Sequence, residues 1–490
     1  MKHTKLLGSV ALATLLAIGF SGCNSDDDKE QTVVEKLQAE SAAAIADSLV
    51  GVSDDDKIPF GDGSFSPYER VAVFPTVKDA NGDTDHNATY AKVAALATTF
   101  ANYVANTNEP EADAETFKGA NWIVAGVEVA EGETASAEKI AHNILGIPTK
   151  LSINPNEAYS KANTKKVKVV EVCNSTYAGK ALGVTNVGGD NGAKVQNGIY
   201  HTTALPCEVT IYNDEDGIYV DMLNPETIFT LFFTEVFSSA EMENSDFKTD
   251  MMALPTQVKN EIFAMIYNAF DAAEETYTKT AIKMGTIYSS MSKAVATTDT
   301  ANSGKEPYRH YTYTGDGVTT YTSTDAKAIA AKIITAMTSE EEGTVGVQED
   351  ALLSTLPSTI AGKVPSWRSG RLEPLKVPGG SWIVEACSPT YAKEALSTGE
   401  YHTPALPCEI AVFVNPDDNT KIDISFLNPE FMFGALFADG MAKMSAEEIS
   451  AFDTIISNIN GDLKTIVDYA MKNSVDGFDG TNIKITPINY

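Results

Sequence analysis

The sequence predicts an α+β fold of two similar domains, each an antiparallel sheet with helices packed on one side. Two observations predict it. Tyr200-His-Thr-Thr-Ala-Leu-Pro-Cys207-Glu208 returns about two hundred residues later as Tyr401-His-Thr-Pro-Ala-Leu-Pro-Cys408-Glu409, and each copy lies between a Glu-x-Cys and a Leu-Asn-Pro-Glu. The repeating unit is therefore a whole domain rather than a short motif. Within each unit, β-branched runs of strand length alternate with stretches of helical spacing, and turn-rich stretches, Asn213 to Gly217 and Asn415 to Asn419, join the paired strands.

Taken in order, residues 1–22 read as a signal peptide. Lys2 and Lys5 precede an apolar run from Leu6 to Phe20, and Ser21-Gly22-Cys23 follows. These are a charged region, an apolar region and a small-residue junction. The junction resembles the bacterial lipobox, with Phe20 where Leu is usual, which implies that Cys23 becomes the lipidated first residue. Asn24 behind it favours the outer membrane by the same analogy. The run is too short to span a bilayer, which takes about 20 residues. Residues 23–60 then form an acidic tether around the Ala-rich stretch from Val33 to Val50.

Formal charge bounds the partners. The chain carries -31, and loss of Lys2 and Lys5 makes the mature form -33. Counterion release requires Lys and Arg facing phosphates, so nucleic acid is excluded as a partner. The membrane is met through the lipid anchor instead, and the charge favours solubility.

The first domain spans 61–275 and the second 306–490, with a Thr-, Ser- and Ala-rich connector at 276–305. The domains open alike, at Ser66-Pro67-Tyr68 and Glu306-Pro307-Tyr308, and continue into helical patterns at Tyr90–Val104 and Ala326–Met337. Strands are predicted at Val167–Cys173 and Ser381–Cys387, short helices at Tyr177–Leu182 and Tyr391–Leu396, and strands again from Cys207 and Cys408. Asn224-Pro-Glu and Asn428-Pro-Glu read as helix starts, since Asn accepts from orphan amides, Pro fits the first helical position and Glu suits the positive end of the dipole. Each domain closes on a long periodic helix, Gln257–Ala273 and Ile449–Met471. Asp79, Asn81, Asp83 and Asp85 have the spacing of a calcium loop, but the sixth position lacks Gly and Tyr90 stands where a bidentate Glu is needed, so a hairpin turn is expected.

Cys173 with Ala178, Ala181 and Leu182, then Leu205-Pro206-Cys207 and Asn224-Pro225, resembles the domain of unknown function 302 family. In the second copy Cys387, Ala392, Ala395, Leu396 and Leu406-Pro407-Cys408 carry the same resemblance. It covers about 60 residues of each half and implies a small α+β domain whose biochemical role is not established. The chain departs from it in the Tyr-His before the second motif, and in 33 residues between the cysteines of copy one against 20 in copy two. The excess, Gly183 to Val195, is read as a loop.

Chemistry concentrates on four cysteines. In an oxidising compartment Cys173 with Cys207 and Cys387 with Cys408 suggest disulfides. A redox-active dithiol, or thiolates on haem or a transition metal, are the alternatives, although neither pair forms the Cys-x-x-Cys turn that depresses thiol pKa most readily. Tyr200, His201, Tyr401 and His402 occupy equivalent positions and are candidate ligand-binding residues. Glu171 and Glu385, two residues before the first cysteines, are candidate ligands sharing their face; Glu208 and Glu409 point oppositely from the adjoining cysteines. No phosphate loop, nucleophile elbow or paired catalytic carboxylate motif is present. The sequence thus describes an envelope protein facing the periplasm or the surface. It acts as a binding or interaction module for a small molecule or another envelope protein rather than as a hydrolase, with periplasmic thiol redox or haem- or metal-linked electron transfer as the alternative. A ligand is expected near the Tyr-His-Thr and Cys segments or in the groove between domains.

Overall fold

The computed structural model describes residues 66–107, 122–127, 133–146, 167–182, 198–205, 208–233, 236, 243, 245–285, 307–314, 316–338, 367–374, 381–406, 408–441, 443–474 and 483–485. The segments expected to form a signal peptide and a tether, with Cys23, lie outside them, as do Cys207 and the segment expected to be a loop, Gly183 to Val195. Among the described residues no helix is long and apolar enough to cross a membrane.

The first half runs β1 (Tyr68–Phe74), α1 (His86–Thr107), β2 (Trp122–Val124), α2 (Ala137–His142), β3 (Leu145–Gly146), β4 (Val167–Asn174), α3 (Ser175–Ala181), a 3-10 helix (Gly198–Ala204), β5 (Glu208–Asn213), β6 (Ile218–Leu223), α4 (Pro225–Phe232), α5 (Ser245–Ala272) and β7 (Thr278–Met284). The second runs β8 (Tyr308–Tyr313), α6 (Ser323–Thr338), β9 (Arg368–Pro374), β10 (Trp382–Cys387), α7 (Pro389–Leu396), a 3-10 helix (Glu400–Ala405), β11 (Cys408–Val414), β12 (Ile422–Leu427), α8 (Pro429–Leu436), α9 (Ala438–Met441), α10 (Ala446–Lys472) and β13 (Ile483–Ile485). Sheet one is ordered β2-β4-β5-β6-β1-β7 with β3 beside β4, and sheet two β9-β10-β11-β12-β8-β13. The pairings are antiparallel and the order is the same in both halves.

Local chemistry places the elements. Asn224 and Asn428 cap α4 and α8, each side chain accepting from the amide of the Glu two residues on, at 3.1 and 3.2 Å. Ser445 and Glu448 form a reciprocal capping box at the start of α10. Asp79 closes the predicted turn: one carboxylate oxygen accepts from Asn81 N and Asp83 N, Lys78 bridges to Thr84, and Gly82 takes φ +89°.

Helices α1 and α5 lie on one face of sheet one, and α6 and α10 on one face of sheet two. The other faces are not solvated. Every residue of β5 and β6 is buried, because the second face of each sheet turns toward the other half. Ala392 and Leu396 of α7 share one buried cluster with Val167 and Val169, while Ala178 and Leu182 share another with Ile383. Phe232 meets Phe431 with ring centroids 5.4 Å apart. The connector also differs from expectation. Its first part is β7, an edge strand paired with β1, and the large apolar side chain of Ile282 on it is exposed.

Candidate functional site

The two 3-10 helices sit where the halves meet, and they carry the Tyr-His-Thr motif across the seam. His201 Nδ1 lies 2.6 Å from the Tyr308 hydroxyl, which itself donates to Phe232 O at 2.9 Å. With the phenol proton directed at that carbonyl, the imidazole proton belongs on Nδ1. The ring also stacks on Phe233 at 4.3 Å. The second half shows a matching arrangement: Tyr68 donates to Leu436 O at 3.0 Å, and His402 stacks on Phe437 and meets Tyr68 edge-on at 5.2 Å. Burial holds both imidazoles down to about 3, so they are neutral. Tyr200 packs on His310 and Phe413 of the second half, and its carbonyl accepts from Ser425 at 3.3 Å. The Tyr401 hydroxyl donates to Asp439. Thr403 donates to Thr210 at 3.0 Å, and Thr202 lies 3.2 Å from Ser381. These residues form a reciprocal clasp.

The glutamates converge between the sheets. Glu171 of β4 stands opposite Glu208 of β5, and Glu385 of β10 opposite Glu409 of β11. Alternation sends Val170, Val172, Val209 and Ile211 to the helix side, so these carboxylates face the seam. Oxygens of Glu171, Glu208 and Glu409 lie within 4.8 Å of one another, with Glu171 and Glu208 buried. Beside them a cavity of about 30 Å³ is lined from both halves, by Thr203, Ala204 and Glu208 on one side and Pro404, Ala405 and Glu409 on the other.

A third arrangement occurs once in each half, beneath the helices. Trp122 Nε1 donates to Glu261 Oε2 at 2.6 Å and Tyr177 donates to the other carboxylate oxygen. In the second half Trp367 Nε1 and the Tyr391 hydroxyl donate to Asp462 Oδ2, at 3.1 and 2.8 Å. Each trio borders a cavity of about 20 Å³ that also touches a first-position cysteine, Cys173 or Cys387. Burial pushes the Asp462 carboxyl and both phenols up.

The comparisons with known proteins bear on the second half. Residues 380–459 match the family model described as Domain of unknown function DUF302. The second half contains a DUF302 domain. No curated protein and no solved structure matches the chain. The DUF302 domain runs from β10 into α10 and holds Glu385, Cys387, Tyr391, His402, Cys408 and Glu409. Trp367 and Asp462 stand just outside its bounds.

Several sequence expectations come out differently. Glu171 and Glu385, on strands whose outer face an α+β domain alone would leave to solvent, are 6 % and 1 % exposed. Cys387 and Cys408 lie on adjacent strands and line one cavity, while Cys207, the expected partner of Cys173, lies outside the described residues. The Cys408 thiol is pushed up to about 12 by burial and by Cys387 beside it. The cavities at Cys173 and at Cys387 with Cys408 measure about 20 Å³ each. The histidines face Tyr308 and Tyr68 across the seam rather than completing a thiolate set. Sequence reasoning missed Thr203 and the Trp–carboxylate–Tyr trios. Tyr177 and Tyr391 did align between the copies, but as members of short helices, and nothing local ties them to acids 84 and 71 residues away.

Proposed function

We propose that the chain is a lipid-anchored ligand-binding module of the cell envelope whose ligand is taken in the cavity between its two halves. One observation carries the reading: the cavity is lined by the same positions of both copies, Ala204 with Ala405, Glu208 with Glu409, and Leu223 with Leu427. Concave sites with apolar walls and a few convergent polar groups are where ligands bind. The acidic tether and Cys23 hold this module at the membrane, since two or three acyl chains give firm anchoring.

The test uses protein purified from its own envelope without denaturation. Native mass spectrometry of the wild type shows a retained ligand mass, and Ala405→Leu, which fills the cavity, loses it. The same mass in both proteins, or none in either, overturns the reading. Cys23→Ser moves the protein from the membrane to the soluble fraction, and unchanged fractionation counts against the anchor. Thiol redox is the weaker reading, because burial raises the Cys408 thiol whereas reactive thiols are lowered.

A further inference from the structure

We infer that the seam between the halves holds a divalent cation of the hard, oxygen-seeking class, on Glu171, Glu208 and Glu409 with the Thr203 hydroxyl. This rests on reading the seam cavity as the ligand site, and it names the class of ligand.

Three observations carry it. Two oxygens bonded to one magnesium, manganese or calcium ion at about 2.0 to 2.6 Å lie no more than about 5 Å apart, and the three carboxylate oxygens lie within 4.8 Å of one another. Thr203 is 5 % exposed, its Oγ1 has no hydrogen-bond partner among the described residues, and it lines the cavity that Glu208 and Glu409 line. Buried hydroxyls are nearly always paired, so this one points to an atom of the ligand, either the ion or a water on it. The cavity, at about 30 Å³, has room for about two water-sized centres. A set made of carboxylates and a hydroxyl selects magnesium, calcium or manganese over soft ions. Glu171 and Glu208 come from the first half and Glu409 from the second, so the ion ties the halves together.

The experiment takes the whole chain, strips it with a chelator, and titrates manganese(II) chloride while the electron paramagnetic resonance signal of free manganese is followed. One tight equivalent per chain is expected, displaced by calcium or magnesium, with a melting temperature that rises as the ion is added. Glu208→Gln and Glu409→Gln keep the side-chain volume, and each weakens binding at least tenfold; Asp316→Asn, on the surface, leaves it unchanged. No stoichiometric equivalent, or equal affinity in the double glutamine variant, overturns the inference. Should that variant not fold, Thr203→Val reads the same site: about threefold weaker binding supports it, and none overturns it. If the chain takes no metal but keeps an organic mass that Ala405→Leu loses, the cation is wrong and the seam cavity stands; if neither is found, both fall.

Discussion

At the scale of the residue, His201 and His402 show how a motif that looks like a ligand set can be an assembly device. Each imidazole is closed off by an aromatic of its own half and a tyrosine of the other. An ordinary histidine takes its proton near pH 6.5, whereas these hold out until about 3 because they are buried. Their contribution to stability is therefore complete above pH 6.5 and is lost as pH falls from 6.5 toward 3, where the unfolded chain binds a proton and the folded one does not. The loss is about 1.4 kcal/mol per pH unit for each histidine. Asp221, Glu69 and Asp462 act with the opposite sign, since burial raises all three and the folded state takes their protons first. Comparing wild type with His201→Leu cancels those carboxyls. Urea titrations at pH 6.5 and 5 should show the wild type losing about 2 kcal/mol more than the variant, and parallel profiles would remove the histidine from the account.

At the scale of the element, what the sequence made legible was whatever depends on near neighbours. Period-two runs gave β4, β5, β10 and β11, and Asn-Pro-Glu gave the starts of α4 and α8, because strand alternation and capping are settled within a few residues. Strands β2, β3, β9 and β13 were missed, being short or low in pattern, β1 and β8 were read only as the openings of the two domains, and β7 was taken for a connector because Thr278–Met284 is an exposed edge with little to bury. The site was legible in part: the glutamate positions were singled out, but not that two strand pairs would aim them into one seam, which no local signal encodes. The Trp–carboxylate–Tyr trios fasten α5 and α10 to the strand and short helix beneath them. Tyr391→Phe removes a buried donor from a carboxylate and should cost about 1.5 to 3 kcal/mol, and Tyr177→Phe about as much. Asn428→Ala should cost about 1 kcal/mol by uncapping α8. Urea unfolding midpoints check all three, and a loss below about 0.5 kcal/mol at either tyrosine would mean that water replaces the bond.

At the scale of the whole molecule, the halves are bound by exchange. Each lends its 3-10 helix to the other's sheet, so the face that would be solvated in a lone α+β domain is covered by the partner. The hydrogen bonds come in pairs, with Tyr308 to Phe232 O answered by Tyr68 to Leu436 O, and one apolar cluster runs through both cores. An interface of this kind resembles a domain core cut in two, which is the character of obligate association. Covalent continuity between the halves is then dispensable once the chain has folded. A protease site inserted between Ser290 and Ala301 and cut in the native protein should leave two fragments that elute together at the size of the intact chain. They should separate only in denaturant, and Tyr68→Phe with Tyr308→Phe should lower the denaturant needed by removing about 1 kcal/mol at each clasp. Fragments that part on dilution in plain buffer would show that the halves are neighbours held by the connecting chain and not by the seam.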